Sequence, residues 1–329
     1  MVGAGAAVLG VAAVNTSAGV KAAEAGTSGG SLKMIIRADD VGYTDVCNIG
    51  AFDALEHGVS THADVMMDTP GTVDALERLT ELPWVSVGWH AHFWGSPVLD
   101  PKQVPSMVIE EAGRIRFRKD LHTAADVVFE QALNECRAQI GRCVKVLGKA
   151  PDTGSGGDNS PLARAIGQVC DEFGIATDFA RKQTISGGVV KYGEVSPKWA
   201  NRRIHDMDMR QIGNDVRTDS LIQFENYDPY KYFSEDRGHL KEMGREDAVI
   251  LSWHPGCVDY YVYRLGDYGP SARNFILSRV VDAEAMCSNS VKNWLKQNRI
   301  ELVNHRDALY GTREYQIHLR QTGSNLCVI

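Results

Sequence analysis

The stretch Met34–Tyr43, which reads MIIRADDVGY, decides how the rest of the chain is interpreted. Its apolar run ends in two adjacent carboxylates, Asp39 and Asp40, followed by Gly42. This pattern is typical of a buried parallel strand that delivers side chains to a site at its C-terminal edge. Neighbouring carboxylates repel each other, so a metal cation, a lysine or an arginine is expected beside them. The alternative is that one aspartate caps the next helix while the other is solvated.

Strand and helix patterns alternate along the chain after this stretch. We predict strands over 34–38, 59–67, 85–93, 175–179 and 248–253, and helices over 48–57, 72–79, 124–140, 162–173 and 288–298. Such alternation predicts a parallel sheet wrapped by helices, with the functional site at the C-terminal ends of the strands. The fold class is therefore α/β.

The domain organisation follows from length and local composition. Residues 32–329 are expected to form a single domain, because α/β barrels reach this length without dividing. The range 184–245 is irregular and polar, and we interpret it as an insertion that covers the site.

The first 31 residues are set apart from the fold. An apolar run of small residues leads to Ala23-Glu24-Ala25, which has the form of a signal peptide with its cleavage site. No basic segment precedes the run, so we expect either a twin-arginine signal that starts upstream or a disordered tail. The expected location is the periplasm, the cell envelope or the exterior.

The charge of the chain limits the classes of partner. A net charge of -7 and a pI near 5.8 argue against nucleic acid or an anionic membrane and favour a small neutral or cationic substrate. The apolar run is too short to span a bilayer, so no stable membrane insertion is expected after processing. The seven cysteines lack C-x-x-C spacing, which argues against a disulfide framework or a thiolate zinc site. A homodimer is left open.

Histidines follow two of the later strands. His90 and His92 lie two apart, so both rings could share one face of a strand and one could bind a metal while the other faces substrate. His254 precedes a Pro-Gly turn after a buried strand, which suits a general acid or a donor to an oxyanion. The alternative for each is a structural histidine with satisfied hydrogen bonds.

In order and spacing, these motifs resemble those of the YdjC-like carbohydrate deacetylases over residues 33–309. The resemblance rests on the Asp-Asp-x-Gly of the first strand, Gly88-Trp89-His90, Glu110–Gly113, His254-Pro-Gly, a helix start near Arg279 and the segment 300–307. It implies an irregular TIM-like (β/α) barrel, a divalent cation (zinc or magnesium, with manganese as a further candidate) and removal of N-acetyl groups from amino-sugar oligosaccharides. The implied partner is thus a small carbohydrate.

The resemblance also implies roles for matching residues. Asp40 and His90 correspond to metal ligands, and Asp39 corresponds to the base that takes a proton from water. His254 would stabilise the tetrahedral intermediate or protonate the leaving amine. The residues expected to contact substrate are His92, Trp89, Trp94, Trp253 and Arg279, with a core position as the alternative for the tryptophans.

The third metal ligand of the family, a histidine, falls in the segment 149–160, which contains none. Asp158 or Asp152 could supply an oxygen instead, which would favour magnesium or manganese. Alternatively His92 or His205 takes the position, or the metal is lost. The rival functions are hydrolysis of another carbohydrate decoration on the same barrel, and a carbohydrate-binding protein whose catalysis was lost through the glycine-rich segment 153–157.

Overall fold

The computed structural model describes residues 31–329 except 112, 156–158, 210–226 and 264–269. For residues 270–274 it describes the backbone alone. The expected ligand Asp158 and nearly all of the expected export segment lie outside the described residues. The described strands are β1 Lys33–Val41, β2 His62–Val65, β3 Ser86–Trp89, β4 Val108–Glu111, β5 Arg114–Phe117, β6 Arg181–Ser186, β7 Val189–Tyr192, β8 Ile204–Asp206, β9 Ala248–Trp253 and β10 Glu301–Leu302. The described helices are α1 Asp45–Glu56, α2 Thr72–Thr80, α3 Phe129–Leu147, α4 Pro161–Phe173, α5 Pro229–Ser234, α6 Tyr260–Tyr263, α7 Pro270–Cys287, α8 Asn289–Gln297, α9 His305–Tyr310 and α10 Glu314–Gln321.

Strand β1 is the centre of the main sheet. It pairs in parallel with β9, and on its other edge its first residues pair with β10 and its last residues with β2. The parallel pairs β2–β3, β8–β9 and β6–β8 extend the sheet on both sides. Single parallel bridges from Gly88 to Thr153 and from Thr153 to Ala176 continue it beyond β3.

The main sheet is mostly parallel, and helices follow most of its strands along the chain. Its ladder of hydrogen bonds is not continuous around a full circle within the described residues. The arrangement confirms the predicted α/β class and agrees with an irregular TIM-like barrel.

The end of β1 differs from the capping alternative. Thr44, not an aspartate, caps α1, and its side chain accepts a hydrogen bond from the Cys47 backbone N–H at 3.0 Å. Asp39 and Asp40 are only 5% and 3% exposed. Both carboxylates are therefore inside the molecule and need partners there.

Several element boundaries differ from the prediction. Helix α3 begins at Phe129, not at 124, and continues to Gly148, which ends it in the left-handed conformation at φ +77°. The predicted strand 175–179 is reduced to the bridge at Ala176, because Asp178 adopts a positive φ. Strand β3 ends at Trp89, since the chain turns where the His92 N–H donates to the His90 carbonyl.

The range interpreted as an insertion also contributes to the sheet. Its β8 lies between β6 and β9, while β6 and β7 form an antiparallel hairpin. Among the described helices, none combines the length and the apolar character that crossing a bilayer requires.

Candidate metal centre

The two aspartates of β1 occupy a bulge. The register of β1 against β2 shifts between Ala38 and Val41, and Asp40 lies at φ 59°. A left-handed residue breaks the alternation of side chains that a regular strand imposes. Adjacent carboxylates that would point to opposite faces can therefore both face one histidine, His90.

Asp40 divides its two oxygens between different partners. Oδ2 accepts a hydrogen bond from the Nη2 of Arg279, which is fully buried in α7. Oδ1 lies 2.9 Å from Nε2 of His90. Burial would raise the pKa of Asp40, but Arg279 and His90 hold that pKa well below its ordinary value. Asp40 is therefore an ionised carboxylate with one oxygen facing the histidines.

Asp64 on β2 is a member of the site that sequence reasoning missed. Its Oδ2 lies 2.7 Å from Nδ1 of His90, in the position of the carboxylate that orients a metal-binding histidine. The acids at both ring nitrogens raise the pKa of His90 well above 6.5, against the lowering effect of burial. An aspartate inside a buried strand segment, HADV, was the available signal.

The site passes a simple chemical test for a divalent cation. Oδ1 of Asp40 and Nε2 of His90 are buried, are not aligned for a hydrogen bond with each other, and have no other hydrogen-bond partner among the described residues. One ligand atom from each of Asp40, His90 and His92 lies within 4.8 Å of the others. A carboxylate oxygen with two imidazole nitrogens suits zinc or manganese. These residues fit the ion that the sequence motifs imply.

Among the described candidates for the third ligand, His92 is the one whose side chain lies beside Asp40 and His90. Its Nε2 lies 3.9 Å from Oδ1 of Asp40, and its ring contacts His90 at 4.1 Å between centroids. Burial, together with the charge of His90, lowers the pKa of His92 to about 4. The imidazole is therefore neutral at pH 7 and keeps a lone pair for a metal.

The other two described candidates for the third ligand are wrong. Asp152 is engaged with Arg306 at 2.6 Å and Lys149 at 3.1 Å, outside the cluster. His205 lies 3.5 Å from Asp247, which precedes β9 at the opposite end of the sheet from the aspartates of β1. Neither side chain shares a partner with Asp40.

Asp39 and His254 are brought to the same side of the centre. Arg37 binds both Asp39 oxygens, from Nε at 2.6 Å and from Nη2 at 3.1 Å. Nε2 of His254 lies 3.9 Å from Oδ2 of Asp39, and the His254 backbone N–H donates to Asp282 at 2.8 Å. Burial lowers the pKa of His254 to about 4, so its ring is neutral at pH 7.

Of the three tryptophans expected to contact substrate, two lie in the core and one lies at the surface. Trp89 and Trp253 are 1% and 0% exposed. Trp89 donates to Gln139 from α3, and Trp253 stacks on Phe233. The expectation that they bind sugar is therefore wrong, because these strand residues face the helices that cover the sheet. Trp94 is 40% exposed and lies 5.1 Å from the His92 ring, so it can reach a ligand.

Arg279 also differs from its predicted role. It lies in the middle of α7 rather than at a helix start, and its side chain is completely buried. Its guanidinium contacts Asp40 and lies 5.5 Å from the ring centroid of Tyr43. It cannot touch substrate in this structure, and its charge instead lowers the pKa of Asp40.

A match to a family model over most of the chain identifies the family of this protein. Residues 33–297 match the family model described as YdjC-like protein. The chain belongs to the YdjC-like family. The resemblance inferred from the motifs is thus confirmed, and the third-ligand segment is where this YdjC-like chain departs from the expected pattern.

Relatives of this YdjC-like chain are named carbohydrate deacetylases. One from Enterococcus faecalis (strain ATCC 700802 / V583) is 25% identical over 280 residues, which cover 83% of this chain and 97% of that protein. One from Brevibacillus brevis is 37% identical over 114 residues, 34% of this chain and 44% of that protein.

A solved structure shares the fold. It is an Enterococcus faecalis V583 protein with the provisional description cellobiose-phosphate cleavage protein. It matches with a TM-score of 0.57 and 20% identity, over 85% of this chain and 99% of that chain. At that identity the likeness supports the architecture of this YdjC-like chain and not its substrate.

Proposed function

We propose that this YdjC-like protein is a metal-dependent hydrolase that removes N-acetyl groups from amino-sugar oligosaccharides. The observation that carries the proposal is the convergence of Asp40, His90 and His92 within 4.8 Å at the ends of β1 and β3. The names of the full-length relatives support carbohydrate deacetylation as the class of reaction.

The residues that would hold the ion are Asp40, His90 and His92. A bound divalent ion supplies Lewis-acid polarisation of a carbonyl oxygen and of water, which an amide needs because it is a poor electrophile. Arg279 keeps Asp40 ionised, and Asp64 orients the His90 ring. The protein thus provides a charged oxygen and fixed nitrogens before substrate arrives.

Asp39 and His254 would carry the proton. Asp39 accepts the proton that the attacking water loses, while Arg37 holds the carboxylate in place. His254 is neutral and its Nε2 lies 3.9 Å from Asp39, so one bridging water or a small movement of the side chain would let it receive that proton and pass it to the nitrogen of the leaving amine. The water proton then ends on the amine, which could not depart as an anion.

The sugar would lie at the rim formed by Trp94 and His92. Trp94 is exposed and its ring lies 5.1 Å from that of His92. The apolar faces of pyranose rings pack well on aromatic side chains that have one face in water. The ring of Tyr261 in α6 lies 5.6 Å from that of Tyr43, which lies 6.4 Å from that of Trp94. The exposed Tyr260 at the start of α6 would therefore extend this rim towards a second sugar unit.

We also propose that the protein is exported. The support is the apolar, small-residue run followed by Ala23-Glu24-Ala25. Mass spectrometry of the protein from fractionated cells should find a mature N-terminus after Ala25. Recovery of the uncleaved chain with the cytoplasmic fraction would contradict this part of the proposal.

The decisive experiment is hydrolysis of N-acetylated chito-oligosaccharides with zinc, magnesium or manganese added singly to the metal-free protein. We expect equal amounts of acetate and free amine, and at least a ~100-fold loss of rate in Asp40→Asn, His90→Gln and Asp39→Asn. Asp53→Asn, an exposed residue of α1, is the matched control and should keep full activity.

The rival functions give different results. Cleavage of another carbohydrate ester or amide, with the same metal and the same sensitive residues, would replace the substrate and keep the mechanism. Tight carbohydrate binding without bound metal and without any product would identify a binding protein and refute the hydrolase proposal.

A further inference from the structure

A second set of potential ligands adjoins the metal centre. One ligand atom from each of Asp39, Asp64 and His90 lies within 4.8 Å of the others. Asp39 and Asp64 are 5% and 8% exposed, so their charges are largely removed from water. Two carboxylates and an imidazole nitrogen are a donor set that binds divalent cations in many proteins. In the first set Arg279 contacts Asp40, whereas in this second set one cation contacts both carboxylates.

That cation is the guanidinium of Arg37. The residue lies on β1, two positions before Asp39, and therefore on the same side of the strand. Its Nε is 2.6 Å from Asp39 Oδ1 and 3.9 Å from Asp64 Oδ2, while its Nη2 is 3.1 Å from Asp39 Oδ2. A guanidinium keeps its charge at every pH at which the protein is folded.

We infer that Arg37 is a built-in counter-cation that takes the place of a second metal ion and limits the centre to one. Asp39, Asp40 and Asp64 carry three negative charges, and Arg37 and Arg279 carry two positive ones. With His90 neutral, as metal binding requires, one divalent ion changes this net charge from -1 to +1, so a second ion beside Arg37 is repelled. This inference rests on the proposed metal-dependent function.

Arg37 also has a positioning role. With both oxygens bound by one guanidinium, the Asp39 carboxylate is held in a single orientation next to His254. Arg37 uses one lone pair of each Asp39 oxygen and leaves a second on each to accept a proton, whereas a divalent ion in the same place would hold the carboxylate with twice the charge. Arg37 therefore reserves Asp39 for proton transfer and leaves metal binding to Asp40, His90 and His92.

The test is metal stoichiometry. Wild type, Arg37→Met and Arg37→Lys are titrated with Mn²⁺ alone, followed by elemental analysis and electron paramagnetic resonance. We expect one ion in the wild type, one in Arg37→Lys, which keeps the charge, and two in Arg37→Met, with the broadened signal of a coupled manganese pair. Arg203→Met removes another arginine that lies 2.6 Å from an aspartate, Asp247, and should leave one ion.

A second change confirms the position of the added ion. Asp64→Asn in the Arg37→Met background should return the stoichiometry to one. A single ion in Arg37→Met alone would overturn the inference and leave the proposed function intact. No ion in the wild type would overturn both.

A measurement on the wild type covers the case in which Arg37→Met does not fold. A second Mn²⁺ bound at millimolar concentration with Arg37 in place would overturn the inference. Saturation at one ion in the wild type and in Arg37→Lys, with an uncoupled manganese signal, would support it.

Discussion

His90 is the residue through which the rest of the centre is connected. Its Nε2 faces Asp40 and its Nδ1 faces Asp64, so one ring joins the end of β1 to the end of β2. A histidine that binds metal through one nitrogen depends on the partner of the other nitrogen for its tautomer and orientation. The affinity of the centre should therefore depend on Asp64, although Asp64 need not touch the ion.

Asp64→Asn tests this dependence. The amide keeps the shape of the side chain but loses the charge that orients and polarises His90, so we expect metal affinity to fall about 10–100-fold. Isothermal titration with Mn²⁺ measures the change, and Asp53→Asn serves as the surface control. An affinity within twofold of the wild type would show that His90 is held by other contacts.

Asp68 gives a pH dependence of stability with a defined sign. Burial raises its pKa to about 6, and its Oδ2 accepts a hydrogen bond from the Gly95 N–H at 2.7 Å. Between the unfolded pKa near 4 and the folded pKa, the folded chain holds a proton that the unfolded chain has lost. The contribution of Asp68 to stability is therefore present at low pH and is lost as the pH rises from about 4 to 6.

Asp68→Asn should remove that loss, because the amide is never charged. Relative to the wild type, the variant should gain up to about 3 kcal/mol of unfolding free energy between pH 4 and pH 7, from the size of the pKa shift. Urea unfolding at both pH values measures the difference. A difference between the two proteins that does not change with pH would contradict the raised pKa.

At the scale of elements, strand β3 passes close to the polar interior only because Gly88 lacks a side chain. A Cβ at this position would lie 2.2 Å from Oδ1 of Asp64 and 2.6 Å from Nε2 of His62. Both atoms belong to β2, the neighbouring strand in the sheet. Gly88 therefore permits the spacing of strands that lets Asp64 reach His90.

Gly88→Ala should accordingly weaken both the fold and the centre. We expect a loss of about 1–3 kcal/mol in unfolding free energy from overpacking, and weaker Mn²⁺ binding because Asp64 is displaced. Gly141→Ala is the control: its Cβ meets nothing within 4 Å on α3, and a helix-interior alanine should add about 0.5–1 kcal/mol. Unchanged metal binding in Gly88→Ala would show that Asp64 adapts.

The elements that sequence predicted well are those with local signals. The apolar run of β1, the cap at Gly174 after α4 and the Ser288 cap of α8 lie within a few residues of the structure they determine. The early end of β3 and the reduction of 175–179 to a bridge depend on contacts with distant strands. Such contacts leave no periodic pattern in the sequence.

At the scale of the molecule, the site residues that the sequence predicted have local signals, and those that it missed depend on contacts between distant parts of the chain. Asp40 lies near the end of a strand with a readable motif, His90 and His254 follow two other such strands, and the fold places the three side chains near one another. Asp64 was missed because its partner, His90, is 26 residues away. The burial of Trp89 and Trp253 depends on helices elsewhere in the chain, which a motif beside a strand end does not reveal.

Metal binding should stabilise the whole domain. An ion that binds only the folded chain adds about 2.7 kcal/mol at a concentration 100 times its Kd. We therefore expect Mn²⁺ to raise the Tm of the metal-free protein, and EDTA to reverse the rise. Asp40→Asn should unfold at the same temperature with and without Mn²⁺; an equal metal-dependent rise in that variant would locate the ion elsewhere.

The pairing of β1 with three strands from distant parts of the chain determines when the site can form during synthesis. Its neighbours come from residues near 62, 248 and 301, so the strand that carries both aspartates lacks its full set until almost the entire chain has left the ribosome. Pairings that span such long stretches form late and slowly. The first acids of the site to be synthesised are thus among the last to be fixed in place, and the nascent chain acquires its capacity for an ion only near the completion of translation.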